Sequence, residues 1–180
     1  MEVNYHDRSL FLLVILEYLK ESCTDVKKTL VQKAIFIFQE AFKVDLGYKY
    51  KLHFYGPYSA ELTNDLNYLE SQGLINMEFG RDLAYKISIG KNGIDYAEKA
   101  KLSTKKEDIK SYIDKLLSII PSKFEMEVEL IATALYFLKL PIDDDRIRRS
   151  IKFIKPEFAD SKIERAIKIA KNIMISISSG

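Results

Sequence analysis

At 180 residues, with 47% hydrophobic and 30% charged residues and a formal net charge of +2, the chain has the make-up of an ordinary globular protein. Its length allows one or two small domains burying about 70% of the surface an unfolded chain exposes, so neither disulfides nor metals are needed for folding. No apolar run reaches the roughly 18 residues that span a bilayer, Cys23 is the only cysteine, and His6 and His53 are the only histidines; a membrane span, an internal disulfide and a zinc ligand set are thereby excluded.

Met1 to Arg8 carries acidic residues and no basic n-region, so no signal peptide and a cytoplasmic location are expected. Arg8 to Glu21 places Leu10, Leu13, Ile15, Leu16 and Leu19 on a broad apolar stripe, the pattern of a largely buried helix. Cys23 reads as a small apolar residue near its end. After this break Asp25 is placed to cap a second helix, whose apolar positions Leu30, Val31, Ala34, Ile35, Phe38 and Phe42 recur every three or four residues. Lys27, Lys28 and Lys33 fall outside that stripe. Beyond Gly47, Tyr48, Tyr50, Leu52 and Phe54 alternate with Lys49, Lys51, His53 and Tyr55, which is the period of a strand and turns His53 to the surface.

Gly56, Pro57, Tyr58 and Ser59 form the sharpest turn signal, and a third helix is expected to begin there, with Tyr58, Leu62, Leu66, Tyr68 and Leu69 inward and Glu61, Asn64, Asp65, Asn67 and Glu70 outward. Gly73 stops it. Leu74–Phe79 and Leu83–Ile89 read as two strands around Gly80–Asp82, and Gly90–Lys99 returns to helix. Ser103 to Lys106 makes a polar joint. Helices then follow over Tyr112–Ile120, over Phe124–Leu138, from Asp143, Asp144 and Asp145 to Pro156, and from a capping box of Ser161 and Glu164 onward. The last carries Ile163, Ile167, Ala170 and Ile173, a stripe predicted to pack on Phe124–Leu138.

The order of elements over Lys27–Ala97 is that of a winged helix-turn-helix. The expected fold is therefore mainly α with a small β-hairpin (α+β): a winged-helix-like domain over 1–102, and a C-terminal helical extension over 103–180 packed on it. Abundant Ile, Lys and Glu with no Trp suggest a thermophilic source.

Three stretches resemble a known family. Thr29–Gln39 (TLVQKAIFIFQ), His53–Leu62 (HFYGPYSAEL) with Gln72–Ile75 (QGLI), and Ile151–Ala166 (IKFIKPEFADSKIERA) resemble the YwgA-like proteins, an uncharacterised bacterial and archaeal family, and more distantly the Panacea domain of SocA-like antitoxins. The resemblance implies a winged-helix-like core with a helical extension and brings no assigned catalytic residues. Through the Panacea domain it also implies contact with other proteins.

Catalysis has no support in the residues themselves: no nucleophile elbow, phosphate loop, metal-ligand spacing or Cys and His pairing occurs, and no cofactor is expected. For DNA, the charges divide. Residues 1–100 carry 12 Lys and Arg against 14 Asp and Glu, whereas 101–180 carry 16 against 12. The helix after Ser59 has Asn64 and Asn67 to read base edges but no Lys or Arg to hold it against phosphates. Cations lie in the wing, at Arg81 and Lys86, and in a run containing Arg146, Arg148, Arg149, Lys152, Lys155, Lys162, Arg165, Lys168 and Lys171, a candidate phosphate or acidic-partner surface. The crowding of Tyr48, Tyr50, Tyr55 and Tyr58 suits either a packed hinge or a protein interface. The sequence thus predicts a regulatory binding module of transcription-regulator type, with DNA as its partner, or alternatively an adaptor that contacts a protein or a second copy of itself.

Overall fold

The computed structural model describes residues 5–23, 25–100, 111, 114 and 124–178. Among them are seven helices: α1 Tyr5–Ser22, α2 Lys28–Phe42, α3 Ala60–Ser71, α4 Lys91–Ala100, α5 Phe124–Leu138, α6 Asp144–Ile154 and α7 Asp160–Ser178. Two antiparallel hairpins, β1 Lys51–His53 with β2 Gly56–Tyr58 and β3 Ile75–Phe79 with β4 Tyr85–Ile89, complete a mainly helical α+β protein, as the residue pattern predicts. The polar joint at Ser103–Lys106, the boundary at 102 and the predicted helix Tyr112–Ile120, apart from the helical Asp114, lie outside the described residues.

Helices α1 and α2 form the centre. Leu10–Leu16 of α1 and Leu30–Phe38 of α2 are buried without interruption, so these helices are enclosed on all sides. Around α2 pack α5, α7, β2 and β4, while α1 packs on α4 and β4. Helix α7 lies along α5 with Ile163, Ala166, Ile167, Ala170 and Ile173 buried, which is the predicted packing of that stripe. Each of the buried isoleucines contributes about 1.5–3 kcal/mol by leaving water.

Several boundaries follow the predicted chemistry. Gly73, at φ +66°, closes α3: its N–H donates to Glu70 O and that of Leu74 to Leu69 O, a Schellman ending. Asp143 caps α6, its Oδ1 accepting from Arg146 N at 2.7 Å, with Asp144 and Asp145 in the first turn.

Others differ. The turn does not start a helix: Gly56 and Pro57 form strand β2, in the register Lys51↔Tyr58, Leu52↔Pro57 and His53↔Gly56. A Gly at φ +94° cannot enter a helix, and Pro is tolerated on this short two-stranded ribbon, so α3 starts only at Ala60, capped by Ser59 Oγ, which accepts from Leu62 N at 3.2 Å. The predicted strand shrinks to three residues, and Phe54, at the hairpin tip, is 74% exposed instead of inward. Asp25 is not a cap; Lys27 holds that position, and Asp25 pairs with Lys86 at 2.7 Å. In α3, Tyr68 is exposed and Asp65 is buried, because Tyr48 Oη donates to Asp65 Oδ2 at 2.8 Å and Arg8 Nε lies 3.4 Å from the same oxygen. The capping box is absent: the Ala159 carbonyl accepts from Lys162 N and Ile163 N, so Ser161 lies within the first turn of α7 and Glu164 faces Arg148. Lys33, expected outside the apolar stripe of α2, is buried.

Candidate functional site

Lys33 is buried because it shares a stripe with Leu30 and Ile37, at three- and four-residue spacing along α2. Its neighbour Gln32 explains the Gly-Pro-Tyr-Ser turn. Gln32 Nε2 donates to Ser59 O at 2.9 Å, and Ser59 N donates to Gln32 Oε1 at 2.9 Å, so one buried amide satisfies both backbone groups of Ser59 and ties the β1–β2 hairpin to α2. Thr63 Oγ1 donates to Tyr58 Oη at 3.0 Å, and Tyr58 stacks at 5.0 Å from the His53 ring. A Cβ on Gly56 would lie 2.9 Å from Thr133 Oγ1 and 3.4 Å from Lys33 Cε, so Gly is required here by contact as well as by φ.

This arrangement leaves a cleft of about 570 Å³ between the first turn of α2, the β1–β2 hairpin, the β3–β4 connection and Glu129 of α5. Its size is that of a small-molecule site. Lys27, Lys28, Lys33, His53, Tyr55, Tyr58, Tyr85, Asp82 and Glu129 line it. Lys27 Nζ pairs with Asp82 Oδ2 at 3.3 Å, and that pairing holds the exposed Asp82 carboxyl below its usual range. Lys28 Nζ stands 5.7 Å from the centre of the Tyr85 ring, and partial burial lowers its pKa. Lys33 is 4% exposed, and among the described residues its side chain makes no hydrogen bond or ion pair. Burial lowers its pKa to about 8, the Glu129 carboxylate opposing that shift and the Lys155 ammonium adding to it. Lys155, also buried, donates to Glu129 Oε1 and to Phe54 O at 3.5 Å, which anchors the hairpin tip to the end of α6.

The residues singled out from sequence are distributed over several elements. Asn64 and Asn67 are exposed on α3 beside Glu61 and Glu70. Arg81 is exposed in the β3–β4 connection, and Lys86 on β4 is held by Asp25. Of the basic run, Arg148 pairs with Asp145 and Glu164, Lys152 with Asp160, Arg165 with Glu127, Lys171 with Asp144 and Lys155 with Glu129. Arg146, Arg149, Lys162 and Lys168 are exposed and make no ion pair among the described residues. The turn Gly56–Ser59 is the predicted element that reaches the cleft. Lys28, Lys33, Tyr85 and Glu129 also line it, and the sequence signal for them is a lysine at apolar spacing inside Leu30–Phe38.

Fold and cleft together define a mainly helical α+β protein with a lysine-floored, tyrosine-rimmed cleft. The chain is similar to the uncharacterized protein YwgA of Bacillus subtilis (strain 168), with 34% identity over 112 residues covering 59% of this chain and 62% of the relative. The chain therefore spans less than two thirds of that relative's length. No family model matches it.

Proposed function

We propose that this chain is a non-enzymatic regulatory binding module whose α1–β4 half works in the manner of a winged helix-turn-helix, and whose partner is a protein. The carrying observation is the rim of the cleft: Tyr55, Leu83 and Tyr85 are 61%, 80% and 48% exposed, with Phe54 beside them at the hairpin tip. Large apolar groups gathered at one opening favour a protein contact. Leu83 also holds a left-handed φ of +57°, a strained conformation for a branched residue that turns the chain at the lip of the cleft. An adaptor or antitoxin-like role fits this surface.

The outward face of α3 supports direct readout poorly, since Glu61 and Glu70 flank Asn64 and Asn67 without a cation. DNA association remains a second reading because Arg146 and Arg149 of α6 are exposed and without ion pairs among the described residues. It would be electrostatic and tolerant of sequence.

Two measurements decide. Recovery of a bound protein from source cells is compared between the wild type and a Phe54→Ser, Leu83→Ser variant of unchanged circular dichroism; a partner lost from the variant supports the reading, and equal recovery sinks it. Polarisation of a labelled mixed duplex at low salt tests the second: binding abolished by Ala at Arg146, Arg148, Arg149 and Lys152 would move the function to DNA.

A further inference from the structure

Helix α2 begins without the groups that usually satisfy a helix start. Lys27 is its N-cap, with extended backbone, no side chain cap is made, and no acidic residue lies in the first turn. The first-turn N–H groups of Lys28, Thr29 and Leu30 have no acceptor within the helix, and they carry the positive end of its dipole. These same residues line the cleft.

Lys33 adds an independent observation. It lies about 7.5 Å further along the axis than Lys28, and its Cε, 3.4 Å from the position of a Gly56 Cβ, stands in the wall of the same cleft. It lines the cleft, more than nine-tenths buried, and has no hydrogen-bond or ion-pair partner among the described residues. Glu129 is the nearby carboxylate, and it is already engaged by Lys155. Two buried lysines, Lys33 and Lys155, therefore share one carboxylate. A buried charge without a counter-ion is expensive, and an anion in the cleft would supply it. Asp82, the remaining acidic group of the lining, is exposed at the rim and neutralised by Lys27.

We infer that the cleft binds a phosphate group, free or carried by a small aromatic ester, seated between the open start of α2 and the ammonium groups of Lys28 and Lys33. A phosphate matches the site better than a carboxylate because its three terminal oxygens accept from several N–H donors at once and its charge approaches −2. The rings of Tyr55, Tyr58 and Tyr85 supply a wall for the organic part of an ester. The site is independent of whether the macromolecular partner is a protein or DNA.

The test is calorimetric titration of the full chain, in phosphate-free buffer, with inorganic phosphate, adenosine monophosphate and adenosine, on the wild type, Lys33→Met and Lys168→Met. Methionine keeps the apolar stem, so Lys33→Met should remain folded, as circular dichroism would verify. The expected result is binding of the monophosphate or of inorganic phosphate, silence with adenosine, and affinity weakened about tenfold or more by Lys33→Met but not by Lys168→Met, whose site is exposed on α7. Tighter binding of the monophosphate identifies an ester as the ligand, and equal binding identifies free phosphate. No heat with either, adenosine binding as well as its monophosphate, or equal weakening by both variants overturns the proposal.

Discussion

Replacing Lys33 by Met should stabilise the protein, and the gain should depend on pH in a defined direction. An ordinary lysine titrates at 10.5, and burial brings Lys33 to about 8. That difference corresponds to about 3 kcal/mol against the charged form in the folded state. The folded pKa lies below the unfolded one, so between the two the unfolded chain binds more protons and wild-type stability rises with pH. The full penalty acts below pH 8 and fades as pH climbs from about 8 to 10.5. Methionine carries no charge and preserves much of the stem's packing between α2 and the Gly56 turn, where Lys33 Cε closely approaches the position a Gly56 Cβ would take. The gain should therefore be up to about 3 kcal/mol at pH 7 and about 1 kcal/mol at pH 9.5. The other charged or titratable groups of the lining, Lys27, Lys28, His53, Tyr55, Tyr58, Asp82, Tyr85 and Glu129, together with Lys155, are present in both proteins and largely cancel in the difference. Urea unfolding in phosphate-free buffer at the two pH values measures it. A destabilised variant, or a gain of the same size at both, would refute the view that Lys33 is a charged group whose burial is only partly compensated, by Glu129.

Two further outcomes follow from geometry. Gly56→Ala should lower stability by about 1–3 kcal/mol, because its φ is +94° and its Cβ would meet Thr133 Oγ1 at 2.9 Å; an unchanged melting midpoint would show that the turn relaxes freely. Ile167→Glu should cost several kcal/mol and unfold much of the protein at ambient temperature, since it puts a carboxylate into the seam of α5 and α7. Circular dichroism with light scattering reads that result, and a folded monomer arising from a dimer would instead make the stripe a seam between copies.

Where structure is set by local chemistry, the sequence was readable. The bounds of α5, the stop at Gly73 and the Asp143 cap each depend on residues a few positions apart. The Gly56 turn is visible in the sequence but its kind is not, because Gly followed by Pro suits a helix start and a hairpin equally, and what ties down the hairpin is Gln32, 27 residues from Ser59. Lys33 reads as outward because lysine is rarely buried, and its apolar spacing with Leu30 and Ile37 becomes burial only through the enclosure of α2 by α5 and β2. The basic run looked like an open patch because several of its partners are distant in sequence: Glu127 for Arg165, Asp144 for Lys171 and Glu129 for Lys155. Long-range pairing of this kind leaves no local periodicity.

The amide of Gln32 presents the same donor and acceptor as a peptide group, and it meets Ser59 only through the main chain. The two ends of this contact therefore tolerate drift unequally. Position 59 can exchange its side chain for another helix-capping residue and keep both bonds, whereas at position 32 even the isosteric carboxylate of glutamate lacks the N–H that Ser59 O accepts. Variation among descendants of this chain should accordingly be filtered at position 32 and permitted in the side chain of position 59, although Ser59 belongs to the more conspicuous segment of the sequence.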